Sequence, residues 1–146
     1  MGFPLIPYFQ TTRYRVQTMI ELADVKPGEK VADLGSGDGR IVIAMAQKGA
    51  HAFGYELNNT LIKKSEEEIK KLHLENTAHI LQKDFWQEDL SVYSIITVYP
   101  MPDIMQNLEA KLINELKPGA RVLLNYYPFL TWKVKEEKNH IFLYTK

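Results

Sequence analysis

The chain has 146 residues, 45% of them hydrophobic and 25% charged, enough for one globular domain with an ordinary core and too few for a second independent one. Eighteen basic and eighteen acidic residues cancel, so there is no overall field to draw in a phosphate backbone. Cysteine is absent, which excludes disulfides, thiolate nucleophiles and cysteine-ligated metals, and His51, His73, His79 and His140 lack ligand spacing, so no metal site is expected.

The opening MGFPLIPYFQ lacks the basic region and unbroken apolar run of a signal peptide, and no apolar run approaches the roughly 20 residues of a membrane span. The expectation is a soluble cytoplasmic protein. Periodicity places a first helix over 13–24, with Val16, Met19, Ile20 and Ala23 on one face. KVADLG then reads as the first strand, and a second helix over 39–48 stops at Gly49. HAFGYEL is the second strand, with Glu56 near its C-terminal end. Asn58 or Asn59 can cap a third helix whose inner face is Leu61, Ile62, Ser65, Ile69 and Leu72. The run KKSEEEIKK mixes both signs and reads as a solvated face.

AHILQKD is the third strand, ending at Asp84, and SIITVY the fourth. Beyond the turn PMP, Asp103 can cap a helix in which Ile104, Met105, Leu108, Leu112 and Leu116 recur at helical spacing. ARVLLNYY is the fifth strand, and TWKVKEEKNHIFLYT reads as two more strands joined near 137–139. Successive strand residues face opposite ways, so Tyr126 and Tyr127 are expected on opposite faces. Alternating strands and helices imply an α/β fold: a mostly parallel, doubly wound, Rossmann-like sheet with a C-terminal antiparallel hairpin, one domain over 1–146 at about minimal length.

In such a sheet, ligands bind beyond the carboxyl ends of the strands where the strand order reverses. The turn expected there is Gly35, Ser36, Gly37, Asp38 and Gly39, spaced G-x-G-x-G, with its third glycine one residue earlier than in the dinucleotide fingerprint. Asp33 and Asp38 place acid where a pyrophosphate would sit. At about 6 Å, two like charges repel by roughly 3 kcal/mol when the effective dielectric constant is about 20. The loop therefore suits a ligand with a cationic or hydroxyl-rich end. S-adenosylmethionine, with an ammonium, a sulfonium and no phosphate, fits that description. Glu56 can accept from the ribose hydroxyls and Asp84 from the adenine amino group, with Phe85 or Trp86 against the ring. Leu57 and Asn58, following Glu56, complete the candidate cofactor set.

VADLGSGDGR, followed by GYELN and KDFW, resembles the signature of class I S-adenosylmethionine-dependent methyltransferases. With IPYFQTT, LEAKLINELKPGARVL and PFLTW, the chain from about Pro7 to Trp132 resembles the small archaeal protein-lysine methyltransferases and their mitochondrial relatives, which modify the c-type ring protein of ATP synthase and the adenine nucleotide carrier. The resemblance implies methyl transfer to the ε-amine of a lysine in a protein partner, with S-adenosyl-L-homocysteine as product. It also implies an N-terminal lid, 1–12, closing over the cofactor through Tyr8 and Thr11. Pro7, Tyr8 and Thr11 match the family's Pro-Tyr-x-Pro-Thr-Pro pattern, while Gln10 and Thr12 replace prolines. The mitochondrial relatives carry a membrane-anchoring N-terminal segment, and this chain is more similar to the soluble archaeal form.

Methyl transfer from a sulfonium is an in-line displacement with an already activated donor, so it requires no metal. The acceptor walls are expected at the ends of the fourth and fifth strands. Tyr99, Pro100, Met101, Tyr126 and Trp132 are the candidate acceptor-side residues, with aromatic faces to guide a lysine stem and a phenol to orient its amine. YPMP lacks the leading Asn or Asp of the Asn/Asp-Pro-Pro-aromatic turn of adenine-methylating enzymes, which counts against base methylation and a nucleic-acid partner. A monomer is favoured. The alternatives are a small-molecule or RNA methyltransferase with the same cofactor site, or a non-catalytic S-adenosylmethionine-binding protein.

Overall fold

Short runs of Val, Ile, Leu and Ala bounded by turns form seven strands in the computed structural model, which describes residues 11–146. They are β1 (Lys30–Leu34), β2 (His51–Tyr55), β3 (Ala78–Leu81), β4 (Ile95–Val98), β5 (Arg121–Asn125), β6 (Glu136–Lys138) and β7 (Ile141–Thr145). Their spatial order in one sheet is β3-β2-β1-β4-β5-β7-β6. The first five pair in parallel, while β7 runs antiparallel to both β5 and β6. The expected α/β sheet with a C-terminal hairpin is therefore the fold, and its strand order reverses between β1 and β4.

Both faces of the sheet are covered, so each inner strand is apolar on both sides rather than alternating. On one face α1 (Arg13–Ala23), α2 (Arg40–Gln47) and Ile69 of α3 (Asn59–Lys71) pack against Val31, Ala52, Ile95, Leu123 and Leu143. On the other, α4 (Met105–Glu115) buries Leu108 and Leu112 completely against Ala32, Ile96, Val122 and Leu124. Each such leucine contributes about 1.5–3 kcal/mol. Thr12 caps α1, its hydroxyl accepting the Arg15 N–H at 3.3 Å. Among the described residues, no helix is long and apolar enough to cross a membrane.

Several expected boundaries move. β3 ends at Leu81, and Asp84 instead caps a short 3₁₀ turn over Phe85–Gln87, accepting the Trp86 N–H at 3.0 Å. Asp103 lies inside a second 3₁₀ turn, Pro102–Ile104, and makes no cap bond to α4. The hairpin turns at Asn139 and His140, just past the expected position, because Lys138 already pairs with Ile141. Leu72 caps the end of α3 half out in solvent instead of joining its inner face.

β5 stops at Asn125 rather than running through both tyrosines. The Tyr127 N–H donates to the Asn125 carbonyl at 3.0 Å, closing a three-residue turn about Tyr126, whose φ is 74°. Strand alternation therefore ends one residue before the pair. The Tyr126 and Tyr127 rings touch edge to face, 4.8 Å apart, and do not lie on opposite faces.

Candidate active site

The glycine loop is wired to the end of β2. Gly35, Gly37 and Gly39 all take positive φ, which lets the chain fold back on itself between β1 and α2. The N–H groups of Gly35 and Ser36 both donate to the Tyr55 carbonyl, at 2.9 and 3.0 Å. Gly39 N–H donates to Ser36 O at 3.0 Å, and Gly37 N–H to Glu56 Oε1 at 2.8 Å. From α3, the buried Ser65 hydroxyl donates to Gly37 O at 3.0 Å. The loop packs so closely on β2 that a Cβ at Gly54 would stand 2.5 Å from Ser36 Oγ. A pyrophosphate needs loop N–H groups, and four of them are already bound to protein oxygens.

The acids gather around this loop. Asp33 is buried on β1 directly across from Thr97 of β4, whose hydroxyl donates to it at 2.8 Å. Burial pushes its carboxyl up to about 7 against the Thr97 bond, and the charges of Glu56 and Asp38 push the same way. Glu56 is oriented by backbone: besides Gly37, the Leu57 and Asn58 N–H groups donate to its Oε2 at 3.0 Å each. Asn58 caps α3 through the Leu61 N–H at 3.1 Å.

Asp38 is not the bare acid expected from the sequence. Arg40 Nε donates to Asp38 Oδ1 at 2.9 Å and Nη2 to Oδ2, while Nη1 reaches the Thr11 carbonyl at 2.9 Å. Preference for a cationic ligand therefore rests on Asp33 and Glu56, with Asp38 tied to the start of α1. Phe85 is buried in the second core and packed against Trp86, rings 4.8 Å apart, so its face is not open to an adenine ring; Trp86 is the half-buried member of the pair. Tyr8 lies outside the described residues, as does the lid before Thr11.

On the acceptor side, Leu34 pairs with Val98, so Gly35 and Tyr99 leave the sheet side by side. Tyr99 and Met101 are half-buried and Pro100 is buried between them. One strand further on, the fully buried Asn125 donates Nδ2 to Thr11 Oγ1 at 3.0 Å. Its Oδ1 lies 3.5 Å from Arg15 Nη1, and the Arg15 guanidinium sits over the Tyr126 ring, 5.4 Å from its centre. Tyr126 is also stacked on His140. Thr11, Asp33, the glycine loop, Glu56, Tyr99 and Asn125 are thus brought to one edge of the sheet.

Trp132 is not brought there. Its ring stacks on Phe129 at 5.5 Å and 11° and packs against Tyr144 of β7, three strands along from β1. The buried Glu109 of α4 holds this loop, accepting the Thr131 and Trp132 N–H groups at 2.9 and 3.0 Å and the Thr131 hydroxyl at 2.7 Å. Burial alone would raise the Glu109 carboxyl, but these bonds outweigh it and hold it below the ordinary range. Trp132 is a packing residue because the loop turns down along the α4 face.

Arg15, Arg40, Thr97 and Glu109 take part without having stood out as site residues in the sequence. Thr97 is one hydroxyl within an apolar strand and Glu109 one acid on an apolar helix face, each a visible exception to its pattern. Arg40 follows the glycine loop directly, but nothing in the sequence shows that it reaches Thr11.

Comparison with known proteins agrees with this geometry. Residues 33–136 match the family model described as the ANTKMT methyltransferase domain. The protein-lysine N-methyltransferase of Saccharolobus islandicus is 34% identical over 135 residues, covering 91% of this chain and 84% of that protein. The Homo sapiens lysine N-methyltransferase named for the c-type ring protein of ATP synthase is 36% identical over 127 residues, 87% of this chain and 54% of the human protein. The chain thus spans about half the length of that relative and of its mouse counterpart. A Salinibacter ruber protein described as an RNA methyltransferase, solved with S-adenosyl-L-homocysteine, superposes with a TM-score of 0.85 at 32% identity, over 93% of this chain and 91% of that one. The chain belongs to the ANTKMT methyltransferase domain family.

Proposed function

We propose that this chain binds S-adenosylmethionine beyond β1 and β2 and transfers its methyl group to the ε-amine of a lysine in a protein, presented from the ends of β4 and β5. When bound, S-adenosylmethionine supplies a methyl group already activated by a sulfonium. Asp33 would face the cationic methionine part, and Glu56, fixed by three backbone N–H groups, would accept the ribose hydroxyls with its remaining lone pairs. Asp84 would take the adenine amino group beside Trp86. Tyr99, Pro100 and Met101 would line the acceptor path next to Gly35 and exclude water. Bringing a lysine to the neutral amine costs about 4.6 kcal/mol at pH 7 from a free pKa of about 10.4, and desolvation between such walls lowers that demand.

The observation that carries the lysine reading is the match to the archaeal protein-lysine N-methyltransferase over 91% of this chain. A second reading, RNA methylation, is favoured by the description of the Salinibacter ruber structure and opposed by the balanced charge. Incubation of the purified protein with radiolabelled methyl donor, and separately with a host protein extract and with host RNA, decides between them. Label in hydrolysate methyl-lysine is expected. Label confined to RNA would replace the lysine reading with the second.

A further inference from the structure

Two exposed aromatic residues at the acceptor edge are held in backbone conformations that their residue types disfavour. Tyr126 stands at the centre of the three-residue turn that ends β5, with φ 74°. A positive φ at the middle of such a turn is the strained form, and a bulky side chain makes it more so. His140 has φ 61° and follows Asn139 at φ 52° in the two-residue turn of the β6–β7 hairpin. That turn favours Asn followed by Gly, and His occupies the glycine position.

The two strained residues meet. Tyr126 N–H donates to the His140 carbonyl at 2.7 Å, and the rings stack at 5.4 Å and 29°. Neither residue is buried, Tyr126 being 43% exposed, so core packing does not explain why rings stand at positions where glycine would relieve the backbone. Strain retained at solvent-facing positions marks a functional constraint more often than a packing one. The pair is also referenced to the cofactor side. Arg15 sits over the Tyr126 ring and beside Asn125, Asn125 bonds Thr11, and Thr11 bonds Arg40, which holds Asp38 of the glycine loop.

We propose that Tyr126 and His140 form a braced ring pair at the acceptor mouth, in which His140 is a positioning residue that holds Tyr126 against the incoming acceptor side chain. This rests on the methyltransferase reading above and deepens its acceptor half. The role is orientation. A ring fixed from behind narrows the directions from which an amine approaches the methyl group, and a displacement of about 1 Å can lower a rate by as much as about 100-fold.

Four proteins test it: wild type, His140→Gly, His140→Asn and His140→Phe, each measured for kcat on a lysine peptide, for donor affinity by calorimetry and for Tm. Gly and Asn both accept the turn but remove the ring, whereas Phe keeps a ring. His140→Gly and His140→Asn are expected to lower kcat by about 10-fold, with donor affinity within about twofold of wild type and with Tm in His140→Gly equal or higher. His140→Phe is expected to keep most of the turnover. Wild-type kcat in His140→Gly, a fall in His140→Phe as deep as in His140→Gly, or donor affinity falling in step with kcat would each overturn the brace. If wild type labels RNA and leaves lysine unlabelled, the lysine reading fails and the same four proteins decide the brace on RNA; if it labels neither, both fail.

Discussion

The glycine loop after β1 and the turn after β5 both end a parallel strand at the same edge of the sheet, yet they are held by different means. The loop is fixed by backbone N–H groups within a span of about twenty residues, from Gly35 to the Glu56 carboxylate and the Tyr55 carbonyl. The β5 turn is fixed by side chains from far along the chain: Thr11 and Arg15 lie 114 and 110 residues from Asn125. A locally bonded site forms once two strands pair. A site built from distant side chains exists only after α1, β5 and the hairpin have all packed.

Substitutions can break this contrast or sharpen it. The largest expected effect is that of Glu56→Ala, which strips three backbone N–H groups of their acceptor. Donor affinity should fall by at least about 100-fold in calorimetry, since a charged acceptor for several N–H groups is among the stronger hydrogen-bonding units. Affinity kept within about threefold would mean that the loop is not held through Glu56. Next comes Asn125→Ala, which leaves the buried Thr11 hydroxyl without its partner and should lower stability by about 1–3 kcal/mol in denaturant unfolding. Amide exchange should quicken at the start of α1 and not in the glycine loop; acceleration of both would erase the distinction between the two regions.

Asp33→Asn should act in opposite directions on binding and stability. The carboxyl is raised by burial to about 7 in the fold, against 3.8 ordinarily. Between those values the folded state holds a proton that the unfolded chain has released, so the contribution to stability is full below about pH 4 and is lost as pH rises through about 7. Wild type should therefore lose Tm between about pH 5 and pH 8, and Asp33→Asn should flatten that slope while weakening the donor by about 10-fold. An unchanged slope in melts across that range would place the titration elsewhere. The smallest effect is expected from Arg40→Ala. Its ion pair with Asp38 is partly exposed, with 33% of the Arg40 side chain accessible, so a loss of about threefold in donor affinity is the expected scale.

The legible part of the site was the part made locally. The G-x-G-x-G spacing, the acid in β1 and the acid at the end of β2 are all near in sequence to the strands that carry them, and period-two and 3.6-residue patterns place those strands and α2. Phe85 and Trp132 were misread for the same reason as each other. Both are aromatics just past a motif, and whether such a ring faces a ligand or a core depends on where the following loop turns. Tyr126 and Tyr127 show how short the reach of alternation is, since one positive φ at the strand end brings both rings together.

The amino-acid order by itself determined the α/β architecture, the glycine loop with its carboxylates and the family, because each depends on residue types repeated or spaced over a few positions. Only the tertiary structure decided that Arg40 compensates Asp38, that Glu109 draws Trp132 away from the site, and that Asn125 and His140 gather Thr11, Arg15 and Tyr126 at one edge. Those contacts join segments separated by many residues or depend on where a loop turns, and neither periodicity nor spacing carries information about side chains that meet only after the sheet has closed.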